Sequence, residues 1–278
     1  MMERSVAGAA EWSGIKKNKG KIVISSHPSL MPMEERPWLS SDMSPRTMED
    51  KLGMRSVPYR ELVRKLLYLA VASRPDIAYT VSVLCHFVEN PGQDHWNAAK
   101  RVLQYLKGTI NMLLVYSQTS SPDQFTTYCN SDLGGDLDRG RSTGGFAVCV
   151  GGGAIQWGSH LHPQVSLSST ESEYVTVSKV SCKVMWMRYL LNEFSYDILW
   201  PSLILVDNAS AIQVAKHPEH QLTMKHIHWA YHWIHERIEQ GDMKVTHILG
   251  VDNLADIFTK PLSRVKFSKF RDMLGLQA

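Results

Sequence analysis

The apolar period of this chain changes once, near Ser117, and that change governs what the chain can fold into. Before it, apolar residues recur at helical spacing: Leu62, Val63, Leu66, Leu67, Leu69 and Ala70 behind Pro58, then Ile77, Ala78, Val81, Leu84 and Phe87 from Pro75. A third set, Trp96, Ala99, Val102, Leu103 and Leu106, runs to Gly108. Proline suits a first helical turn and glycine a helix end, so three short helices are expected, making a small all-helical module over 57–117. After a Ser/Thr/Gln/Pro link the runs shorten and glycines multiply, at 134, 135, 140, 144, 145 and 151 to 153. Residues 125–129, 145–150 and 154–158 read as strands. A long helix follows over about 169–194, then an apolar strand at 203–206, a helix through 214, a helix over 225–240, a strand at 244–249 and a helix from near Asp252. That order predicts an α/β domain over 123–276, a mixed five-stranded sheet flanked by helices. Residues 1–56 mix Gly, Ser, Pro and both charge signs with no sustained period and are expected to be mostly irregular.

With 278 residues, 44% of them hydrophobic, the chain can bury a substantial core, and two domains are expected. Thirty Lys and Arg against 27 Asp and Glu leave a net charge of +3, too mild to point to a polyanionic partner. A nucleic-acid role must therefore be argued from a site. Cys85, Cys129, Cys149 and Cys182 lie far apart with no Cys-x-x-Cys pair, against a zinc ribbon or a dense disulfide framework and in keeping with a reducing, intracellular compartment, cytoplasm or nucleus. No run reaches the roughly 18 to 20 apolar residues of a membrane span, and the N-terminus lacks the apolar stretch of a signal peptide. Neither membrane insertion nor secretion is expected.

Several ionisable residues invite a functional reading. Asp207 closes the apolar strand, and open α/β sheets place ligands at the C-terminal ends of their strands; as a plain alternative it caps the helix that follows. Glu171 and Glu173 open the long helix two residues apart, so they point to different faces, and either could be no more than a solvated charge. Asp256 could approach the same sheet end or simply favour a helix N-terminus, a role for which Asp252 is better placed. His228, His232 and His235 fall at i, i+4 and i+7, a spacing able to hold zinc. No glutamate completes a His-Glu-x-x-His pattern, and the interleaved Trp229, Tyr231 and Trp233 suit packing or a nucleic-acid-facing surface.

A series of blocks, kept in order, resembles copia-type retrotransposon Pol polyproteins. It runs from Tyr59-Arg60-Glu61-Leu62-Val63 through Ser73-Arg74-Pro75-Asp76-Ile77-Ala78-Tyr79, His95-Trp96 and Tyr105-Leu106-Lys107-Gly108-Thr109. It continues with Arg141-Ser142-Thr143-Gly144-Gly145, Ser168-Ser169-Thr170-Glu171-Ser172-Glu173-Tyr174, Val206-Asp207-Asn208 and Lys225-His226-Ile227, and ends on Leu254-Ala255-Asp256-Ile257-Phe258-Thr259-Lys260-Pro261-Leu262. The resemblance implies that the helical module is the tail of a reverse transcriptase and that the α/β domain is RNase H-like. No two aspartates are adjacent, so the Asp-Asp metal pair of such polymerases is missing and DNA synthesis is not expected.

The same resemblance implies cleavage of RNA in RNA/DNA hybrids by two-metal hydrolysis with Mg²⁺ or Mn²⁺. Its four acidic positions fall on Asn130, Glu173, Asp207 and Asp256. Three are carboxylates able to ligate a hard cation. The first is an amide, in Asn130-Ser131-Asp132-Leu133-Gly134-Gly135 where the family has Asp-small-Asp-Trp-Ala-Gly. An amide cannot bridge two cations, so impaired hydrolysis is expected. Asp132 is the one carboxylate that could compensate, displaced by about 6 to 7 Å along the strand. Gly-to-Arg64, Trp-to-Leu133 and Thr-to-Met224 depart from the family pattern in the same way. Among Arg139, Arg141, Lys179, Lys183, Arg188, Lys225 and Lys260, only Arg141 and Lys225 have family context as phosphate contacts to a hybrid. The implied partners are an RNA/DNA hybrid and the rest of a retroelement polyprotein. An inactive nucleic-acid-binding scaffold or a transposon relic is the alternative.

Overall fold

Helix punctuation by proline and glycine, and strand punctuation by glycine, recur in the three-dimensional structure. The computed structural model describes residues 27–36, 38–117, 125–195, 198, 201–216 and 228–278, the side chains of 228–232 excepted. The chain divides into two compact units: Met1–Leu114 with Pro261–Asp272 and Leu276–Ala278, and Val115–Lys260 with Met273–Gly275.

In the first unit, α1 (Met48–Met54) lies where no apolar period predicted a helix. Its cause is local. Thr47 accepts a hydrogen bond from the Asp50 N–H at 3.1 Å, and Glu49 and Asp50 occupy the first turn, where the helix dipole favours acids. The helix buries none of its residues, so periodicity could not reveal it. The expected helices follow as α2 (Tyr59–Ala72), α3 (Ala78–Cys85, entered through the 3₁₀ turn Pro75–Ile77) and α4 (Gln93–Gly108). Leu62, Leu66, Ile77, Val81, Leu84, Ala99 and Val102 make their core, each side chain contributing about 1.5–3 kcal/mol if large and fully buried. A charged pair lies inside it: Arg74 donates to both Asp76 oxygens at 2.9 and 2.7 Å and to Thr109 Oγ1 at 2.7 Å, and Tyr105 Oη donates to Asp76 Oδ2. Strand β1 (Leu113–Leu114) pairs with the chain's last strand, β7 (Leu276–Gln277), and Phe267 and Phe270 of α8 (Arg264–Met273) are buried. This unit is thus discontinuous in sequence.

The second unit holds a five-stranded sheet of order β4-β3-β2-β5-β6. Strands β2 (Thr126–Ser131), β3 (Thr143–Val150) and β4 (Gly153–Leu161) form an antiparallel meander, and β5 (Ser202–Val206) and β6 (Met243–His247) run parallel to β2. A parallel neighbour needs a crossover, and α5 (Ser169–Glu193) supplies the one between β4 and β5. Helices α6 (Ala209–Lys216) and α7 (His228–Glu239) supply the next, so the expected helix over 225–240 is seen from His228. Tyr174, Val177, Val180 and Val184 of α5 bury against Cys129, Phe146, Val148, Ile204 and Val206 of the sheet.

After β6 the expected helix is only a 3₁₀ turn, Leu254–Phe258. Asn253 starts it by accepting from the Ala255 N–H at 3.2 Å, and Pro261 cannot continue a helix. The turn presses on β3 opposite Asn130, where Gly145 stands. A Cβ there would lie 2.5 Å from Phe258 Cβ, so only glycine admits the approach. Among the described residues, no helix is long and apolar enough to cross a membrane.

Candidate active site

Four segments deliver side chains to one end of the second unit's sheet. Asn130, on β2, is buried. Asn253, fully buried, donates to the Cys129 carbonyl at 3.0 Å and so pins the 3₁₀ turn to β2. That brings Asp256 to Asn130, whose Nδ2 donates to Asp256 Oδ1. The other end of the Asn130 amide accepts from the Ser131 N–H at 2.6 Å. Lys260, one turn on, sets its ammonium 2.7 Å from the same Asp256 oxygen.

Glu173 arrives on α5. The start of that helix is anchored by Ser168, which accepts from the Glu171 N–H at 3.1 Å, and by Glu171 itself, whose carboxylate accepts from the Leu167 N–H at 2.8 Å. Glu171 is thereby occupied in capping, and Glu173 is the glutamate left facing the sheet. Ser172 Oγ donates to the Asp132 carbonyl at 2.7 Å, tying the helix start to the end of β2. Burial pushes the Glu173 carboxyl up to about 8, and the Asp207 carboxylate, then Asp256, add to the rise; the Asn208 amide, donating to Glu173 at 3.2 Å, opposes it. The same two charges, Glu173 and Asp207, reinforce the upward shift that burial gives the Cys129 thiol.

Asp207 follows β5 and is not the cap of α6. Asn208 is: its Oδ1 accepts from the Ala211 N–H at 3.0 Å. Asp207 is left free to face Glu173, and the loop after β6 closes over it, with Gly250 so near that a Cβ would lie 3.1 Å from Asp207 Oδ2. Glu173 Oε2 and Asp207 Oδ1 are buried acceptors with no hydrogen-bond partner.

The structure therefore brings Asn130, Glu173, Asp207 and Asp256 together. Asp132 is engaged elsewhere. Its Oδ1 accepts from the Thr143 N–H, and burial raises its carboxyl to about 6 against the opposing pull of that bond, of Gly135 and of Lys260. Arg141 is half-buried in the same β2–β3 hairpin, and Lys225 lies outside the described residues. Of the three histidines at zinc spacing, His228 and His232 fall outside the described side chains, while His235 contacts Glu239 at 3.2 Å and Trp233 packs on the core.

No family model matches the chain. It is 36% identical over 251 residues to a retrovirus-related Pol polyprotein from transposon TNT 1-94 of Nicotiana tabacum, a match covering 90% of this chain and 19% of that protein. It is 35% identical over 254 residues to the corresponding polyprotein of transposon RE2 from Arabidopsis thaliana, covering 91% and 17%. The chain belongs to the copia-type retrotransposon Pol polyprotein family. It spans less than a fifth of the length of these two relatives. The solved structure of LC11-RNase H1 overlaps 49% of this chain and 93% of that one at 11% identity and a TM-score of 0.38. The second unit, with its mixed sheet of order β4-β3-β2-β5-β6, is the RNase H-like domain of a copia-type Pol polyprotein.

RNase H-like domains imply divalent metal, and the copia-type site can be tested for fit. Two buried carboxylate oxygens without donors, Glu173 Oε2 and Asp207 Oδ1, are hard ligands suited to one Mg²⁺-type cation. A second ion is opposed by the charges already in place. Asp256 Oδ1 already takes the Asn130 amide and the Lys260 ammonium, and among the described residues no group of three His, Cys, Asp or Glu side chains is disposed to hold a metal.

The residues that sequence reasoning missed are Asn208 and Asn253, which position the acids without being acidic. Their signal was present but unspecific, an asparagine just before each helical turn.

Proposed function

We propose that this chain is an RNase H-type endonuclease domain of a copia-like retroelement, built to cleave the RNA strand of RNA/DNA hybrids and impaired by Asn130. The observation that carries the reading is the Asn130–Asp256–Lys260 contact, in which an amide and an ammonium occupy an oxygen that a two-ion site would need. Glu173 and Asp207 would hold one Mg²⁺ or Mn²⁺, which would supply stabilisation of charge developing at a scissile phosphate. In the cation's absence Glu173, with its carboxyl at about 8, retains its proton at neutral pH and relieves the repulsion with Asp207. Lys260 neutralises Asp256. Asp132, through Thr143, fixes the hairpin that presents Arg141 to phosphate, and Lys225 is assigned a second phosphate contact. Asp132 would become a metal ligand only with lone pairs left over from the hairpin bond.

The first unit fits a reverse-transcriptase tail joining polymerase to nuclease, with the remainder of a polyprotein as partner. Four unpaired cysteines support an intracellular setting. A second reading, a catalytically inactive hybrid-binding scaffold, is favoured by the same Lys260 contact. The deciding experiment is cleavage of a labelled RNA/DNA hybrid with Mg²⁺ or Mn²⁺, alongside hybrid binding across salt. Barely detectable cleavage with affinity that falls steeply with salt is expected. Robust cleavage that disappears in Asp132→Asn would transfer the first ligand role to Asp132. Salt-insensitive binding would point to another partner.

A further inference from the structure

Along α5, one turn beyond Glu173, the helix and the sheet part. Helix α5 lies over β2 and β3, which leaves the face of the edge strand β4 uncovered. The result is a cavity of about 660 Å³, within the range of small-ligand sites. Its sheet wall comes from residues that share one face, Gly144 and Phe146 on β3 with Gln156 and His160 on β4, followed by His162. Its helix wall is Thr176, Lys179, Val180, Lys183 and Trp186, one stripe at helical spacing. Gly158, facing Phe146 across the strands, keeps the floor open, since a Cβ there would lie 2.7 Å from both the His160 and Phe146 rings.

The chemistry of the walls is selective. No acidic side chain lines the cavity, whereas two lysines one turn apart do. Lys183 Nζ stands 5.3 Å above the Phe146 ring, which stacks on His160 at 6.3 Å between centroids. Burial and the two lysines hold His160 below its ordinary value, so the lysines carry the positive charge at neutral pH. Trp186 is 54% exposed at the far end. His162 is 2% exposed. Thr176 Oγ1 donates to the Ser172 carbonyl at 3.2 Å and so receives the His162 Nε2–H at 3.0 Å, which leaves Nδ1 a buried acceptor with no partner.

We propose that this cavity is a nucleotide site, which takes an unpaired nucleotide by stacking its ring on the exposed Trp186 and setting its phosphate on Lys179 and Lys183, with Phe146 as the apolar floor. Aromatic platforms beside cations hold single-stranded nucleic acid without reading its sequence. A base paired in a duplex has its faces stacked on its neighbours and offers none to Trp186; a splayed or free one does. The site is separate from the acidic cluster and does not rest on the cleavage reading.

Cys182 lines the cavity and is exposed, so the wild-type full chain reports occupancy by itself. Alkylation of Cys182 by iodoacetamide, followed by mass spectrometry, should slow severalfold with saturating dTMP or (dT)₁₀ and remain unchanged with inorganic phosphate at the same concentration. Stronger protection by (dT)₁₀ assigns a strand, and stronger protection by dTMP a free nucleotide. Trp186→Ala should weaken the binding of the protecting nucleotide about five- to hundredfold, the span of one lost stacking contact, and the pair Lys179→Glu with Lys183→Glu should weaken it at least tenfold. Both variants should keep the wild-type circular dichroism. No protection by either nucleotide, equal protection by phosphate, or folded variants that bind as wild type would overturn the proposal.

Discussion

The two units each bury a cluster of charged and polar side chains, and the clusters are opposites. In the helical unit, Arg74, Asp76, Tyr105 and Thr109 answer one another: both Asp76 oxygens accept, and the guanidinium donates to Asp76 and to Thr109. In the RNase H-like unit, Glu173 Oε2 and Asp207 Oδ1 are buried and receive no hydrogen bond from any other side chain, so that only a proton kept by Glu173 can join the two acids. A closed network adds specificity and costs little once formed, whereas an open one of like charge lowers stability and persists where it can meet a ligand. The closed cluster holds the helical unit together, and the open one is the proposed active site.

The largest effect expected from breaking the closed cluster is in Asp76→Ala, which leaves the Arg74 guanidinium buried beside only Tyr105 and Thr109. A loss of about 3–5 kcal/mol should appear in denaturant unfolding of the helical unit's transition. A loss below about 1 kcal/mol would show that Asp76 is not the closing member.

The open cluster should respond in the opposite direction. With its carboxyl at about 8 in the folded chain against an ordinary value near 4.5, Glu173 contributes stability that is fully present below pH 4.5 and is lost as pH rises through 8. In EDTA, Glu173→Gln should therefore be neutral at low pH and stabilising, by on the order of 1 kcal/mol or more, at pH 8 to 9. Melting curves that run parallel for both proteins across that range would contradict the coupling. A smaller change, about 1 kcal/mol of destabilisation, is expected of Asn208→Ala from loss of the α6 cap, with the Glu173 carboxyl pushed further up because the amide that opposes its rise is gone.

Much of this was legible in the sequence. The apolar periods mark the five strands of the sheet and helices α2 to α7, and Asp207 stands out at the end of an apolar strand, but β1, β7 and α8 carry too short a pattern to be read. Helix α1 was not legible because it buries nothing, and the turn at Leu254–Phe258 looked like a longer helix because one turn of spacing does not distinguish the two. The choice of Glu173 over Glu171 came from family resemblance; the structure supplies a physical reason, since Glu171 caps the helix. What no local pattern could convey is that Lys260 and Asn130 meet on one oxygen of Asp256, across 126 residues of chain.

If Asn130 is what disables this site, Asn130→Asp should restore hybrid cleavage. The reversion places a carboxylate against Asp256, so without divalent cation it should destabilise the domain and with Mg²⁺ recover that loss. The account predicts Mg²⁺- or Mn²⁺-dependent cleavage of an RNA/DNA hybrid by the reverted chain, at least tenfold above wild type, abolished again by adding Asp207→Asn. A reverted chain that is folded and binds hybrid yet remains inert would contradict it and leave the scaffold reading in its place.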